Sequence, residues 1–182
     1  NMNVFRPADT IETAECWEIA IQSKDTPSVL ALSRQSLPTL RTEYNNRNLA
    51  AYGGYILKDS KSKRRVIIMS SGSEVKIALE AQQDLEGRGI GVRVVSIPCW
   101  ELFEQQPEKY RRKVLPSGPI RVAVEAGVRF GWDKWLTNER GRSNKSIFVG
   151  MSSFGASGPA EDLYENFGIT SKNVVKQIEK YL

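Results

Sequence analysis

Chemistry in this chain has to proceed without histidine, since its 182 residues contain none. That removes the base of Ser–His–Asp and Cys–His machinery and the commonest transition-metal ligand. The side chain best suited to chemistry is Arg34. It follows the apolar run Ser28–Ser33 (SVLALS), which reads as a buried parallel strand. Ligand-contacting groups in α/β proteins gather at the carboxyl ends of such strands. A guanidinium there can give two parallel hydrogen bonds to a phosphate. An exposed arginine opening a loop is the plainer reading, and the residues alone leave both open.

Three other places carry chemistry-bearing types. Ser70–Glu74 (SSGSE) joins a buried strand to a helix, where free backbone N–H groups can hold a phosphate. It matches neither glycine-rich nucleotide pattern, so capping by Ser71 or Ser73 is the preferred expectation. Glu125 ends the strand IRVAVEA, with no second carboxylate that sequence can assign to it, and a structural or interface role is expected. Trp132 and Trp135 lie three apart and are expected to pack rather than stack on bases.

The net charge is +5, with basic residues gathered at Lys58–Arg65, Lys109–Lys113 and Arg140–Lys145. Aromatics do not interleave with them, which argues against nucleic acid and for solvated turns or attraction of small anions. No apolar run approaches the ~20 residues of a membrane span, and the first residues lack the pattern of a secretory signal. Cys16 and Cys99 form no CxxC pair, so a reducing, cytoplasmic setting is expected.

These residues need elements to position them. Residues 2–6 read as a strand, and Asp9 with Glu12 has capping-box spacing for a helix with Ala14, Trp17, Ala20 and Ile21 facing a core. With residues 28–33 this makes one β–α–β unit, which cannot bury its own sheet faces and reads as the last piece of a larger sheet. Residues 34–52 lack periodicity and read as a linker. Strands are then expected at Gly53–Ser60, Val66–Ser70, Val92–Pro98, Ile120–Gly127 and Ser146–Gly150. Helices are expected after SGSE (with Val75, Ala78, Leu79, Gln82 and Leu85 inward), around Trp100–Leu115 and Trp132–Leu136, and at Pro159–Phe167 and Ser171–Leu182. The fold class is α/β, a mostly parallel sheet with helices on both faces.

The order of segments resembles the transketolase family over the whole chain. FRPAD (5–9), LSRQSLP (32–38) and GMSSFGASGPAEDLYENFGIT (150–170) carry the resemblance, with VIIMSSGSEV, VRVVSIP and VAVEAG as weaker support. It implies that residues 1–40 are similar to the end of the pyrimidine-binding domain, 41–55 to a linker, and 56–182 to the C-terminal domain. That domain is a mixed sheet, mostly parallel.

The resemblance also implies an activity. Transketolases move a two-carbon ketol unit from a ketose phosphate to an aldose phosphate in the pentose phosphate pathway. They use thiamine diphosphate and a divalent metal (Mg or Ca), and act as homodimers with active sites between subunits. In the family the arginine of LSRQ contacts the substrate phosphate, which implies that role for Arg34. The catalytic glutamate, the substrate-contacting histidines, the metal segment and the aminopyrimidine pocket have no counterpart here. The chain therefore looks like a C-terminal fragment, inactive alone, with cofactor and metal held by upstream residues. Two rivals stay in view. One is a related thiamine enzyme of the deoxyxylulose-phosphate synthase or 2-oxoacid dehydrogenase type. The other is a free-standing interaction module.

Overall fold

The computed structural model describes residues 1–137 and 146–182. The basic stretch Arg140–Lys145 lies outside the described residues. The described residues form two separate sheets, a two-stranded one near the amino end and a five-stranded one further along the chain.

The first comprises β1 (Asn3–Phe5) and β2 (Ser28–Leu30), paired in parallel, with α1 (Thr10–Gln22) between them in sequence. Asp9 caps α1 by accepting from Glu12 N at 2.8 Å, and Glu12 turns back to accept from Ala8 N at 2.7 Å. The box expected from the spacing thus forms, shifted by one residue on the return bond.

The inward face of α1 differs from the expected one. Glu12 and Cys16 are buried, Ala20 is half-buried, and Ala14 is exposed. Trp17 is 50% exposed and Ile21 76%. Cys16 packs with Phe5, Ala50 and Cys99, which fixes that side as inner; no described element covers the other. The strand expected over 28–33 is likewise only three residues long, with Val29 and Leu32 exposed. Its apolar run fits a strand buried on both faces, and a two-stranded sheet has too few neighbours to do that.

The segment expected to be a linker is partly built in. Ala50–Tyr52 form a 3-10 turn with Ala50 fully buried. The second sheet follows. Its strands are β3 (Tyr55–Lys58), β4 (Arg64–Ser70), β5 (Gly91–Ser96), β6 (Ile120–Val128) and β7 (Ser146–Met151). They run in the order β3-β5-β4-β6-β7, all parallel except β3.

Successive residues of the central strands point to opposite faces, as the pleat requires. Val66, Ile68, Val92, Val94, Val122 and Val124 enter one core with α2 (Glu74–Gly87) and α7 (Ser171–Glu179). Ile67, Met69, Val95 and Ala123 enter the other, under α3 (Trp100–Gln105), α4 (Glu108–Val114) and α5 (Asp133–Leu136). The single helical stretch expected over 100–115 is two helices. Pro107 separates them, since its ring cannot sit in a helix interior. α6 (Ala160–Asn166) precedes α7.

Two buried arginines fasten the amino-terminal edge of this sheet. Arg93 forks onto Asp59 at 2.9 and 2.7 Å and donates to Lys113 O and Val114 O at the end of α4. Arg121 donates to Leu115 O, Trp135 O and Thr137 O. Each satisfies carbonyls that a helix end leaves open.

Candidate functional site

FRPAD lies where the two sheets meet. Phe5 is fully buried, and Arg6 N donates to Pro98 O at 2.8 Å while Arg6 O accepts from Gly72 N at 2.9 Å. These bonds lock the end of β1 to the carboxyl edge of β4 and β5. Gly72 stands at φ +57°, which a residue with a Cβ rarely adopts.

From this point the Arg6 side chain reaches two buried carboxylates. Its Nη2 is 2.6 Å from Glu125 Oε1 and 3.6 Å from Glu74 Oε2. Ser71 Oγ donates to Glu125 Oε2 at 3.2 Å. Glu74 Oε1 accepts from Ser73 Oγ at 2.6 Å and from Tyr164 OH at 2.5 Å. Burial pushes the Glu125 carboxyl up to about 7, with Glu74 adding to the rise and Arg6 and Ser71 opposing it. Burial and the adjacent Glu74 also push the Tyr164 phenol up.

The serines therefore do something other than the expected capping. Ser73 occupies the N-cap position of α2 but in helical geometry, φ −59° and ψ −26°, and its hydroxyl caps nothing. A capping hydroxyl needs extended backbone. Here both serine hydroxyls turn to carboxylates, which are stronger acceptors. Glu74 is the partner of Glu125 that sequence reasoning missed. Its signal was position: a carboxylate in the first turn of the helix that follows β4 shares an edge with the end of β6.

Arg34 lies in a bend past the end of β2. It is exposed and has no ion-pair or hydrogen-bond partner among the described residues. It does not touch the Glu74–Glu125 pair. Beside it, Gln35–Pro38 form one wall of a cleft of about 580 Å³, opposite Ser73, Lys76, Tyr164 and Ser171. Trp132 and Trp135 are core residues, as expected. Trp132 meets Trp100 edge-on at 5.0 Å, and Trp135 meets Phe103 at 4.9 Å.

A second buried carboxylate ties α1 to the large sheet. Glu12 accepts from Tyr55 OH and Ser96 Oγ, each at 2.6 Å. Burial raises its proton affinity, and those hydrogen bonds offset part of the rise. Cys16 and Cys99 are free thiols, buried and pushed upward, Cys99 to about 12. Neutral buried thiols are poor nucleophiles. Among the described residues no three Asp, Glu or Cys side chains gather as a metal site. The close Glu74–Glu125 pair at the sheet edge is taken by Arg6, so the described residues do not fit a divalent cation.

Comparison with known proteins decides the family. Residues 53–170 match the model of the transketolase-like C-terminal domain, and residues 1–39 match that of the transketolase pyrimidine-binding domain. This chain belongs to the transketolase family. It is 55% identical to the transketolase of Rhodobacter capsulatus over the whole chain, which is 27% of that protein. It is 54% identical to that of Sinorhizobium medicae over 97% of the chain and 25% of the relative. The chain thus spans about a quarter of the length of these curated relatives. Among solved structures, transketolase from Leishmania mexicana superposes with a TM-score of 0.83 at 42% identity, covering 97% of this chain and 24% of that one. A transketolase of Pichia stipitis in complex with sedoheptulose 7-phosphate gives 0.86 at 38% identity, covering 99% and 25%. These matches leave the related thiamine enzymes and the free-standing module without support.

Proposed function

We propose that this transketolase chain forms the C-terminal quarter of an enzyme that transfers a two-carbon ketol unit from a ketose phosphate to an aldose phosphate in the pentose phosphate pathway. Residues 1–40 complete a pyrimidine-binding domain, 41–55 connect, and 56–182 form the C-terminal domain. Thiamine diphosphate and a divalent metal are bound by residues upstream of this chain. The enzyme is a homodimer and works in the cytoplasm, and neither nucleic acid nor a membrane is a partner. Among the described residues no helix is long and apolar enough to cross a membrane.

The role of this chain at the substrate rests on Arg34. One observation carries it: an exposed guanidinium with no partner among the described residues, just beyond the carboxyl end of a parallel strand and beside a cleft. A charge with no internal partner is free for a ligand phosphate. The sugar phosphate in the Pichia stipitis complex is of the class this reading requires.

Arg34→Ala in the full-length enzyme tests it. Loss of one charge-assisted contact is expected to weaken use of phosphorylated donors by about 2–4 kcal/mol. Thiamine diphosphate binding, followed by calorimetry, is expected to stay unchanged. Equal activity of variant and wild type on a ketose phosphate overturns the assignment. The isolated chain is expected to show no turnover in a coupled ketol-transfer assay, since the cofactor supplies the carbanion chemistry.

A further inference from the structure

We propose that Asp9 is a positioning residue for Arg34, holding the far end of the loop that carries it. The inference rests on the phosphate role of Arg34. It concerns how that side chain is kept in place.

Among the described residues, hydrogen bonds hold the loop at its two ends. At its start, Ala31 N donates to Phe5 O at 2.8 Å. At its end, Leu40 N and Arg41 N donate to Asp9 Oδ2 at 2.8 and 3.2 Å. Between them, none of residues 32–39 makes a hydrogen bond to any described residue. All but Leu37 are exposed. Both attachment points belong to FRPAD, four residues apart on one rigid stretch. Phe5 is fully buried, Pro7 is buried with φ restricted by its ring, and Arg6 is bonded on both sides of its backbone. FRPAD is therefore a bracket for LSRQSLP, although residues 10–31 of the chain intervene.

Asp9 suits this task because its orientation is already set. It is 4% exposed, and Oδ1 is engaged as the cap of α1. That leaves Oδ2 to face the two loop amides. Arg41 reinforces the same end: its guanidinium is 2.8 Å from Glu15 and 5.3 Å from the centre of the Tyr55 ring. Tyr55 in turn bonds Glu12. The far end of the loop is thus fixed to α1 and to the large sheet together. A loop with no internal bonds loses conformational freedom when its arginine engages a ligand, and anchoring both ends lowers that cost.

Asp9→Asn separates the two jobs, because asparagine has one acceptor oxygen and meets the other position with N–H donors. The test uses the full-length enzyme with a ketose phosphate and with the same ketose lacking phosphate. Asp9→Asn is expected to raise KM for the phosphorylated donor about tenfold, with kcat within about threefold and the other donor unaffected. In an Arg34→Ala background the same change is expected to add less than about twofold, as for two residues acting through one contact. Arg41→Ala leaves the α1 cap intact and is expected to show the same pattern, so the test survives if Asp9→Asn folds poorly. An equal KM rise for both donors, or full additivity with Arg34→Ala, overturns the proposal.

Hydrogen exchange at Leu40 and Arg41 is read in parallel. Loss of protection in Asp9→Asn supports the clamp, and retained protection overturns it. If Arg34→Ala alone leaves KM for the phosphorylated donor unchanged, the phosphate reading fails, and exchange decides the clamp by itself.

Discussion

Arg6 Nη2 stands 2.6 Å from Glu125 Oε1, so the small amino-terminal sheet is ion-paired to the carboxyl edge of the large one. One guanidinium serves two buried carboxylates, since Glu74 is 0% and Glu125 3% exposed. Removing it leaves the two carboxylates with hydroxyl donors and without their cation. Arg6→Ala is expected to cost about 2 kcal/mol in urea unfolding near neutral pH. That is below the ~3–5 kcal/mol of a fully buried pair, because the Arg6 side chain is 39% exposed. The loss is expected to shrink toward pH 5, where Glu125 takes up a proton.

Glu125 also sets a pH dependence of its own. Burial raises its folded-state pKa to about 7, against 4.5 for an ordinary glutamate side chain. Between those values the folded chain holds more protons than the unfolded one. Stability therefore falls as pH rises through that window and levels off above about 7. Glu12 is raised too and acts in the same direction. Glu125→Gln is expected to flatten the slope between pH 4.5 and 7, measured as the denaturant midpoint at half-unit steps. An unchanged slope contradicts the burial account.

Asp59 works with the opposite sign. Hydrogen bonds from Arg93 hold its carboxyl well below the usual range, so its contribution is present above pH 4 and lost as pH falls further. Arg93 is 5% exposed on its side chain and keeps two α4 carbonyls as partners. Asp59→Ala is expected to cost about 1–3 kcal/mol by leaving the guanidinium short of acceptors. Arg93→Ala is expected to cost more, because it also opens the α4 terminus. Thermal melts of the two single variants rank them.

The large sheet was legible because each strand and helix carries its own period. Val66–Met69 and Val122–Val124 are continuous apolar runs, and Val75, Ala78, Gln82 and Leu85 recur on one side of α2. The small sheet was less so. Trp17 and Ile21 have helical spacing and apolar side chains, yet they are exposed here, because pattern marks a face without saying what covers it. The site was half legible. Arg34 could be named from its place after an apolar strand. Glu74 and Asp9 could not, since their partners Arg6 and Leu40 are 68 and 31 residues distant and nothing local encodes the pairing. Ser71 and Ser73 were misread for a related reason: capping is a local rule, and the carboxylates that capture them come from elsewhere in the fold or compete at closer range.

Gly53 gives a prediction in which two glycines of the same chain respond with opposite sign. It ends the 3-10 turn at φ +71°, a region where a side chain adds about 1–2 kcal/mol of strain. It also lies against the first turn of α3: a Cβ there would stand 2.0 Å from Phe103 N and 2.5 Å from Cys99 O. Those are backbone atoms, and Phe103 N already donates to Cys99 O, so neither can yield without breaking the helix start. Overpacking adds about 1–3 kcal/mol more. Gly53→Ala is therefore expected to destabilise the chain by about 2–5 kcal/mol and to loosen the junction where Cys99 N bonds Gly53 O. Gly87, the last residue of α2, has nothing within 4 Å of its would-be Cβ. Gly87→Ala is expected to be neutral or to stabilise by up to about 1 kcal/mol through the unfolded chain's lost freedom. Urea titrations of both variants in one buffer decide the matter. A Gly53→Ala midpoint matching that of wild type means that the turn and α3 do not meet as closely as 2.0 Å requires.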